Sequence, residues 1–421
     1  MTDTVRSAVP SSRPVGGPDG HDRHDSHGAA TGPAGRIPLL DLLRGTAILG
    51  TLMTNVWLFT GPGAEWGVLS GSEGASLHGL LTEPSWSSAV ESVFRFLADG
   101  KFLSMLTMLF SVGLAIQYGS AARRGQPWPG RYKWRALFLF AEGTVHFVLV
   151  FAWDVLMGYA VTALVVAWLL SRTERFRHRV MWAAAGFHLA MMVLLTLVVA
   201  ATEPGGGGEG TDSKVVELYA HGGYLDIVTF RLQNAIVLRM EPVLSFGLLL
   251  FLFLLGVRLY RAGAFAPDAT GRRIRTRMLA WGLGVGLPLN AAASLGDFFL
   301  LSRYVAAPVV AIGLIGLIGT LADRLHGTAR RPGVLSRGLT TGLTSVGRMA
   351  LTCYVAQNVL CVLASYGIGL GLASRLGHTG PWWVIGLWAT VCAVLMTGST
   401  LWLRKFTAGP LESLQKRVLQ R

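Results

Sequence analysis

Residues 131–168 read RYKWRALFLFAEGTVHFVLVFAWDVLMGYAVTALVVAW, two apolar runs meeting near Trp153, with Glu142, His146 and Asp154 set inside them. Runs of this length predict a tight helical hairpin that crosses a membrane twice. An ionisable group in hydrocarbon is costly, so these three are expected to face a bundle interior or a water-filled cavity. Glu142 and His146 are four apart, share a helix face and can hydrogen-bond. Such a pair either ties helices together, as buried polar groups often do, or handles a proton.

The rest of the chain has the same character. Of its 421 residues 52% are hydrophobic and only 14% charged, where a soluble protein carries about a quarter charged. The expected fold class is therefore all-α, a polytopic membrane helical bundle whose first partner is the lipid bilayer. The excess of cations, 37 − 23 = +14, would suggest nucleic acid in a soluble chain. Here the cations cluster between apolar runs, where they set orientation instead, and nucleic acid is excluded as a partner. Cys353, Cys361 and Cys392 lie in apolar runs without metal-ligand spacing and are read as small core residues.

Residues 1–35 hold almost no bulky apolar side chain and are expected to be a disordered cytoplasmic tail with no signal-peptide core. Its His21, His24 and His27 are not preorganised as metal ligands, and no metal site is expected. Ten apolar segments follow: 37–59, 101–119, 135–152, 154–170, 180–201, 242–260, 278–296, 304–322, 349–372 and 382–403. Arginine and lysine fill alternate connections, as at 123–135, 172–179, 258–277 and 324–337, while Glu65, Glu73, Glu83, Glu91, Glu203, Glu209, Asp212 and Glu217 occupy two of the others. By the positive-inside rule this predicts ten spans with both termini cytoplasmic, in a bacterial cytoplasmic membrane.

Residues 36–201 and 242–421 are read as N- and C-terminal membrane halves, joined by an extracytoplasmic loop at 202–241. In that loop Leu225, Val228, Leu232, Ile236 and Val237 recur at helical spacing, with Arg231, Gln233 and Arg239 elsewhere on the wheel. This predicts an amphipathic helix at the outer surface, as an anchor or a lid. An apolar stretch at 89–97 predicts an interfacial or re-entrant helix. LTTGLTSVGRM at 339–349 lacks the spacing of a phosphate-binding loop and reads as a turn leading into a span. No paired Gly/Pro-broken spans of the kind found in transporters are evident.

Further polar residues sit inside or at the ends of spans. Arg44 lies about 9–10 Å inside the first span, and Asp41, three positions earlier, can pair with it. Its planar fork also suits a phosphate or carboxylate. Lys101, Asp154 and Asn55 are expected to gather at the outer face, with His146 deeper and Arg44 towards the cytoplasm. Together they form a polar trail across the bilayer.

LLDLLRGTAILGTLMTN (39–55), GKFLSMLTMLFSVG (100–113), His146 with WDVLMGYA (153–160), YVAQNVL (354–360) with YGIGLG (366–371), and GPLE (409–412) together resemble the YeiB-like family of bacterial membrane proteins. The resemblance runs from about residue 36 to the end. It carries Asp41, Arg44, Gly45, Asn55, Lys101, Phe102, His146, Asp154, Tyr159, Tyr354, Gln357, Gly369 and Gly409–Glu412. The opening Leu-Asp-x-Leu-Arg-Gly is more distantly similar to membrane acyltransferases, including the lysosomal glucosaminide acetyltransferase-like proteins. In the polysaccharide-modifying group of such enzymes a His follows the Arg by eleven positions; here that position is Asn55, whose amide cannot act as a general base.

The resemblance implies a transmembrane acyltransferase with acyl-CoA as cosubstrate, a hydroxyl or amine acceptor on a small molecule, lipid or glycan, and no bound cofactor. His146 is then the general base or transient acyl carrier, with Glu142 tuning it. Asp154 and Lys101 orient the acceptor, while Asp41, Arg44, Asn55, Tyr159 and Gln357 complete the binding set. The alternative is a transporter or export accessory in which His146 and Asp154 couple protons to a solute.

Overall fold

The computed structural model describes residues 37–69, 76–82, 85–201, 212–327 and 333–420; the expected tail at 1–35, its three histidines and the Gly205–Gly208 run lie outside them. Among the described residues the regular elements are helices, with no strand, and Ile37–Arg421 pack as one unit. The principal helices are α1 (Pro38–Thr60), α2 (Trp86–Ala98), α3 (Lys101–Arg123), α4 (Tyr132–Leu149), α5 (Leu156–Leu170), α6 (Glu174–Ala201), α7 (Ser213–His221) and α8 (Tyr224–Gln233). They continue as α9 (Phe246–Arg261), α10 (Ala269–Gly284), α11 (Gly286–Leu295), α12 (Ala307–Gly327), α13 (Val334–Arg348), α14 (Ala350–Ser365), α15 (Pro381–Lys405) and α16 (Pro410–Gln420).

A helix falls on each of the ten apolar segments, but their lengths differ. Among the described residues six helical stretches are long and apolar enough to cross a membrane, or seven if the bent pair α13–α14 counts as one. The chain is thus a multi-pass membrane protein. Its outward surface agrees: α6 exposes Phe187, Leu194, Leu197 and Val199, a contiguous apolar face that only lipid or another protein covers at low cost.

The centre of the bundle is α1, which packs against α3, α13, α14 and α15. Its closest neighbour is α13, and two glycines make that approach possible. A Cβ on Gly45 would collide with the Leu343 carbonyl, and one on Gly347 with the Asp41 carbonyl. Each glycine adjoins an arginine, Arg44 and Arg348. Gly347→Ala is expected to destabilise the bundle by about 1–3 kcal/mol, the usual cost of overpacking. Gly338→Ala, on the same helix with nothing within 4 Å of its added methyl, should be neutral or stabilising. Thermal unfolding of both variants in nanodiscs, with equal melting temperatures, would contradict this packing.

One expectation about local structure changes. LTTGLTSVGRM is helical rather than a turn, forming most of α13, and the chain bends by 97° between α13 and α14. The bundle therefore contains one broken span, without the matching second one of the transporter pattern among the described residues. The new N-terminus of α14 is capped by Glu412 from α16, whose carboxylate accepts from the Leu351 and Thr352 amides at 2.8 and 3.2 Å and from the Thr352 hydroxyl at 2.6 Å. That satisfies backbone donors which a helix start leaves bare.

Candidate functional site

The hairpin α4–α5 forms as expected, with residues 150–155 outside helix. At 15 residues, α5 rises about 22 Å, short of the ~30 Å hydrocarbon thickness. Non-helical backbone at such depth needs protein partners for its carbonyls. Two arginines from the following segment supply them. Arg231 donates to the carbonyls of Val148 (3.3 Å) and Val150 (2.9 Å). Arg239 donates to those of Ala152 (3.4 Å) and Asp154 (2.8 Å). Alternate carbonyls along the turn are thus held in sequence.

Arg231 is itself fixed by a two-pronged pair with Glu65, at 2.9 and 2.8 Å, and both side chains are at most 1% exposed. The Glu65 carbonyl also accepts from the Trp153 indole at 2.7 Å. The apolar stripe expected in 224–237 is present and faces outward, and the structure adds where the arginines of the other face go. Ile227 and Arg231 face the protein, whereas Leu225, Leu232 and Ile236 face outward. The segment clasps the hairpin with its polar side.

His146 occupies the last turn of α4, and Asp154 lies two residues before α5. One Asp154 oxygen caps α5 by accepting from Leu156 N at 2.9 Å, where the helix N-terminus favours an anion. The other faces His146 Nδ1 at 3.0 Å, and the Tyr354 hydroxyl donates to it at 3.3 Å. Both His146 and Asp154 are buried. Gly143 leaves room for this carboxylate, since a Cβ there would come within 2.8 Å of it. The Asn358 amide nitrogen lies 3.3 Å from His146 Nε2. With that donor facing Nε2, the ring proton sits on Nδ1 towards Asp154 and Nε2 carries the lone pair, the protonation pattern of a general base.

On one side of the Val155–Tyr354 wall lies an open cavity of ≈ 1140 Å³ of empty space, lined by Arg44, Arg135, Arg348, Gln117, Tyr159 and Glu412 among others. Arg44 Nη1 stands 3.7 Å from Asp41, so the expected pair is present. Arg135, in the first turn of α4, has no hydrogen bond or ion pair among the described residues. On the other side lies a second cavity, lined by Asn55, Asp99, Glu241 and Arg303 and sharing Val155 and Tyr354 with the first. There Arg303 pairs with Asp99 and, at 3.3 Å, with Glu241, which also accepts from Tyr304 at 2.7 Å.

The expected residues are placed unevenly. His146 and Asp154 meet; Arg44, Tyr159 and Asn55 line cavities beside them; Asp41 supports Arg44. Tyr159 hydrogen-bonds Thr107 at 2.6 Å. Glu142 does not bond to His146: its buried oxygens find no hydrogen-bond partner among the described residues, because the imidazole turns to Asp154 and Asn358. Lys101 does not join Asn55 and Asp154. Its ammonium folds back onto the carbonyls of Phe96 and Asp99 and over the Phe96 ring at 4.3 Å, capping the end of α2. Gln357 is buried with both amide atoms unpaired among the described residues, while Asn358, about 100° round the helix, reaches His146.

Sequence reasoning missed Asn358, Arg239, Arg303, Arg135 and Arg348 as members of the site. The available signal was a charged or amide side chain next to an apolar segment. A residue's neighbours across the bundle, which decide its role, leave no mark in the sequence.

A family model described as "Protein of unknown function (DUF418)" matches residues 259–421. "Uncharacterized protein YxaH" of Bacillus subtilis (strain 168) is 26% identical over 398 residues, covering 90% of this chain and 93% of that protein. "Uncharacterized protein YeiB" of Escherichia coli (strain K12) is 26% identical over 406 residues, covering 91% and 96%. The similarity therefore extends across both sides of the His146–Asp154 site and well beyond the DUF418 region, and the chain resembles the YeiB-like membrane proteins over about nine-tenths of its length.

Proposed function

We propose that the protein is a transmembrane acyltransferase of a bacterial cytoplasmic membrane, moving an acyl group from cytoplasmic acyl-CoA to a hydroxyl or amine acceptor. The observation that carries this reading is the arginine-lined cavity roofed by Tyr159 and Tyr354, with Tyr354 resting on the His146–Asp154 pair. In this reading the bundle has ten spans with both termini cytoplasmic, as the alternation of basic connections supports. The arginine cavity then opens to the cytoplasm.

Arg44, Arg135 and Arg348 hold the phosphates of the donor, for which guanidinium forks are suited. The thioester extends towards Val155, and the acceptor approaches from the side of Asn55 and Arg303. Rotation of Tyr354, whose ring centroid lies 5.5 Å from that of His146, joins the base to both. His146 Nε2 takes the acceptor proton as the new C–O or C–N bond forms. The C–S bond then breaks, and the departing thiolate recovers the proton from the imidazolium. Asp154 holds the ring and stabilises its charged form.

Acyl-CoA binding to protein in nanodiscs tests the donor cavity. Arg44→Ala and Arg135→Ala should each weaken binding by about 10–100-fold, the worth of a charge-assisted hydrogen bond. Absence of any acyl-CoA affinity in the wild type would sink the proposal.

A second reading, a solute transporter, is favoured by one observation: two cavities meet at a shared wall beside the broken helix pair α13–α14. Substrate counterflow in liposomes without acyl-CoA would select it.

A further inference from the structure

The groove between α6 and α9 lies apart from the site just described. Arg175, Arg177 and His178 line it from α6, Arg258 and Arg261 from α9, and its floor is Met181, Leu254 and Val257. Glu174 is the one carboxylate in its wall among the described residues, and none of the four arginines lies within salt-bridge distance of a carboxylate among them. Four cations thus share one concave surface with little compensating charge.

His178 adds a second, independent observation. The Trp182 indole N–H donates to His178 Nε2 at 3.2 Å. Arg258 Nη1 stands 3.1 Å from His178 Nδ1; a neutral imidazole accepts at one nitrogen only, so one of these two contacts sets a donor opposite a donor. An anionic oxygen between them would accept from both. The groove also has an apolar continuation. Trp182 of α6 meets Phe251 of α9 at 5.9 Å between ring centroids, and beyond them α6 exposes Phe187 and Leu194.

We propose that this groove binds the headgroup phosphate of an anionic phospholipid, with Arg258, Arg261 and His178 on the phosphate and an acyl chain along the Trp182–Phe251 gutter. Basic pockets between membrane helices recognise lipid headgroups in this way. A soluble phosphate ester would meet the same cations but leave the gutter empty.

Native mass spectrometry of detergent-purified protein titrated with phosphatidylglycerol or phosphatidylcholine tests the assignment. Wild type should retain one phosphatidylglycerol in preference to phosphatidylcholine, and Arg258→Gln/Arg261→Gln should weaken retention about 25-fold, at about fivefold per arginine. Should the double variant fail to fold, Arg258→Gln alone, expected about fivefold weaker, carries the test. Arg404→Gln/Lys405→Gln removes two cations outside the groove and should leave retention unchanged; an equal loss there would overturn the site in favour of diffuse attraction. Equal retention of both lipids without a variant effect would overturn it outright. Displacement of phosphatidylglycerol by soluble glycerol phosphate at matching concentrations would assign the groove to a free phosphate ester instead.

Discussion

Asp154→Asn is expected to lower acyl transfer by about 10²–10⁴-fold, the range of a general base, while acyl-CoA still binds. An Asn at this position retains an oxygen to cap α5, so the hairpin should persist. Its amide N–H₂, placed against His146 Nδ1, reverses the ring's proton and removes the lone pair from Nε2. His146→Ala should cost about as much, and the double variant little more, because the two side chains act as one unit. Single-turnover transfer measured beside thermal unfolding separates the chemistry from the fold. Full turnover in either single variant would remove the dyad from the mechanism.

Arg231→Leu should produce the largest loss of stability of any single change in the hairpin clasp, about 3–5 kcal/mol, as when one partner of a buried ion pair is removed. It strands the Glu65 carboxylate in a fully enclosed site and leaves the carbonyls of Val148 and Val150 bare. Arg239→Leu removes two carbonyl contacts and should cost less, about 1–3 kcal/mol. Denaturant unfolding in a fixed detergent reads both. A loss for Arg231→Leu no greater than that for Arg239→Leu would mean that the Glu65 pair contributes little beyond its carbonyl contacts.

Much of this architecture was legible in the sequence, and the failures have physical causes. Apolar segments gave helices at each expected place because lipid-facing and core-facing residues are both apolar. The same fact left open where the arginines of 224–237 point, although the stripe itself faces outward as expected. In water an apolar stripe points to the core, but in a membrane protein it can point outward, and Arg231 takes the inside. The i,i+4 spacing allowed Glu142 to meet His146. It could not show that a short turn brings Asp154, eight residues away, closer to the imidazole. Lys101 was read from its depth alone, although the joint between α2 and α3 leaves carbonyls that a nearby ammonium satisfies. Tyr354 was named through the resemblance, and its neighbour Asn358 was not, since which face of α14 meets His146 depends on a bend that the glycine-rich 339–349 stretch conceals.

The arginine ladder sets an order of events during synthesis. His146 and Asp154 are eight residues apart and can meet as soon as the hairpin emerges, but Arg239 follows Asp154 by 85 residues. At about 5–20 residues per second, translation takes roughly 4–17 s to deliver it. Through that interval the carbonyls of Ala152 and Asp154 lack the donor that the finished fold gives them. The newborn turn must therefore wait where water reaches it, and its site matures only when the ribosome has supplied the clasp.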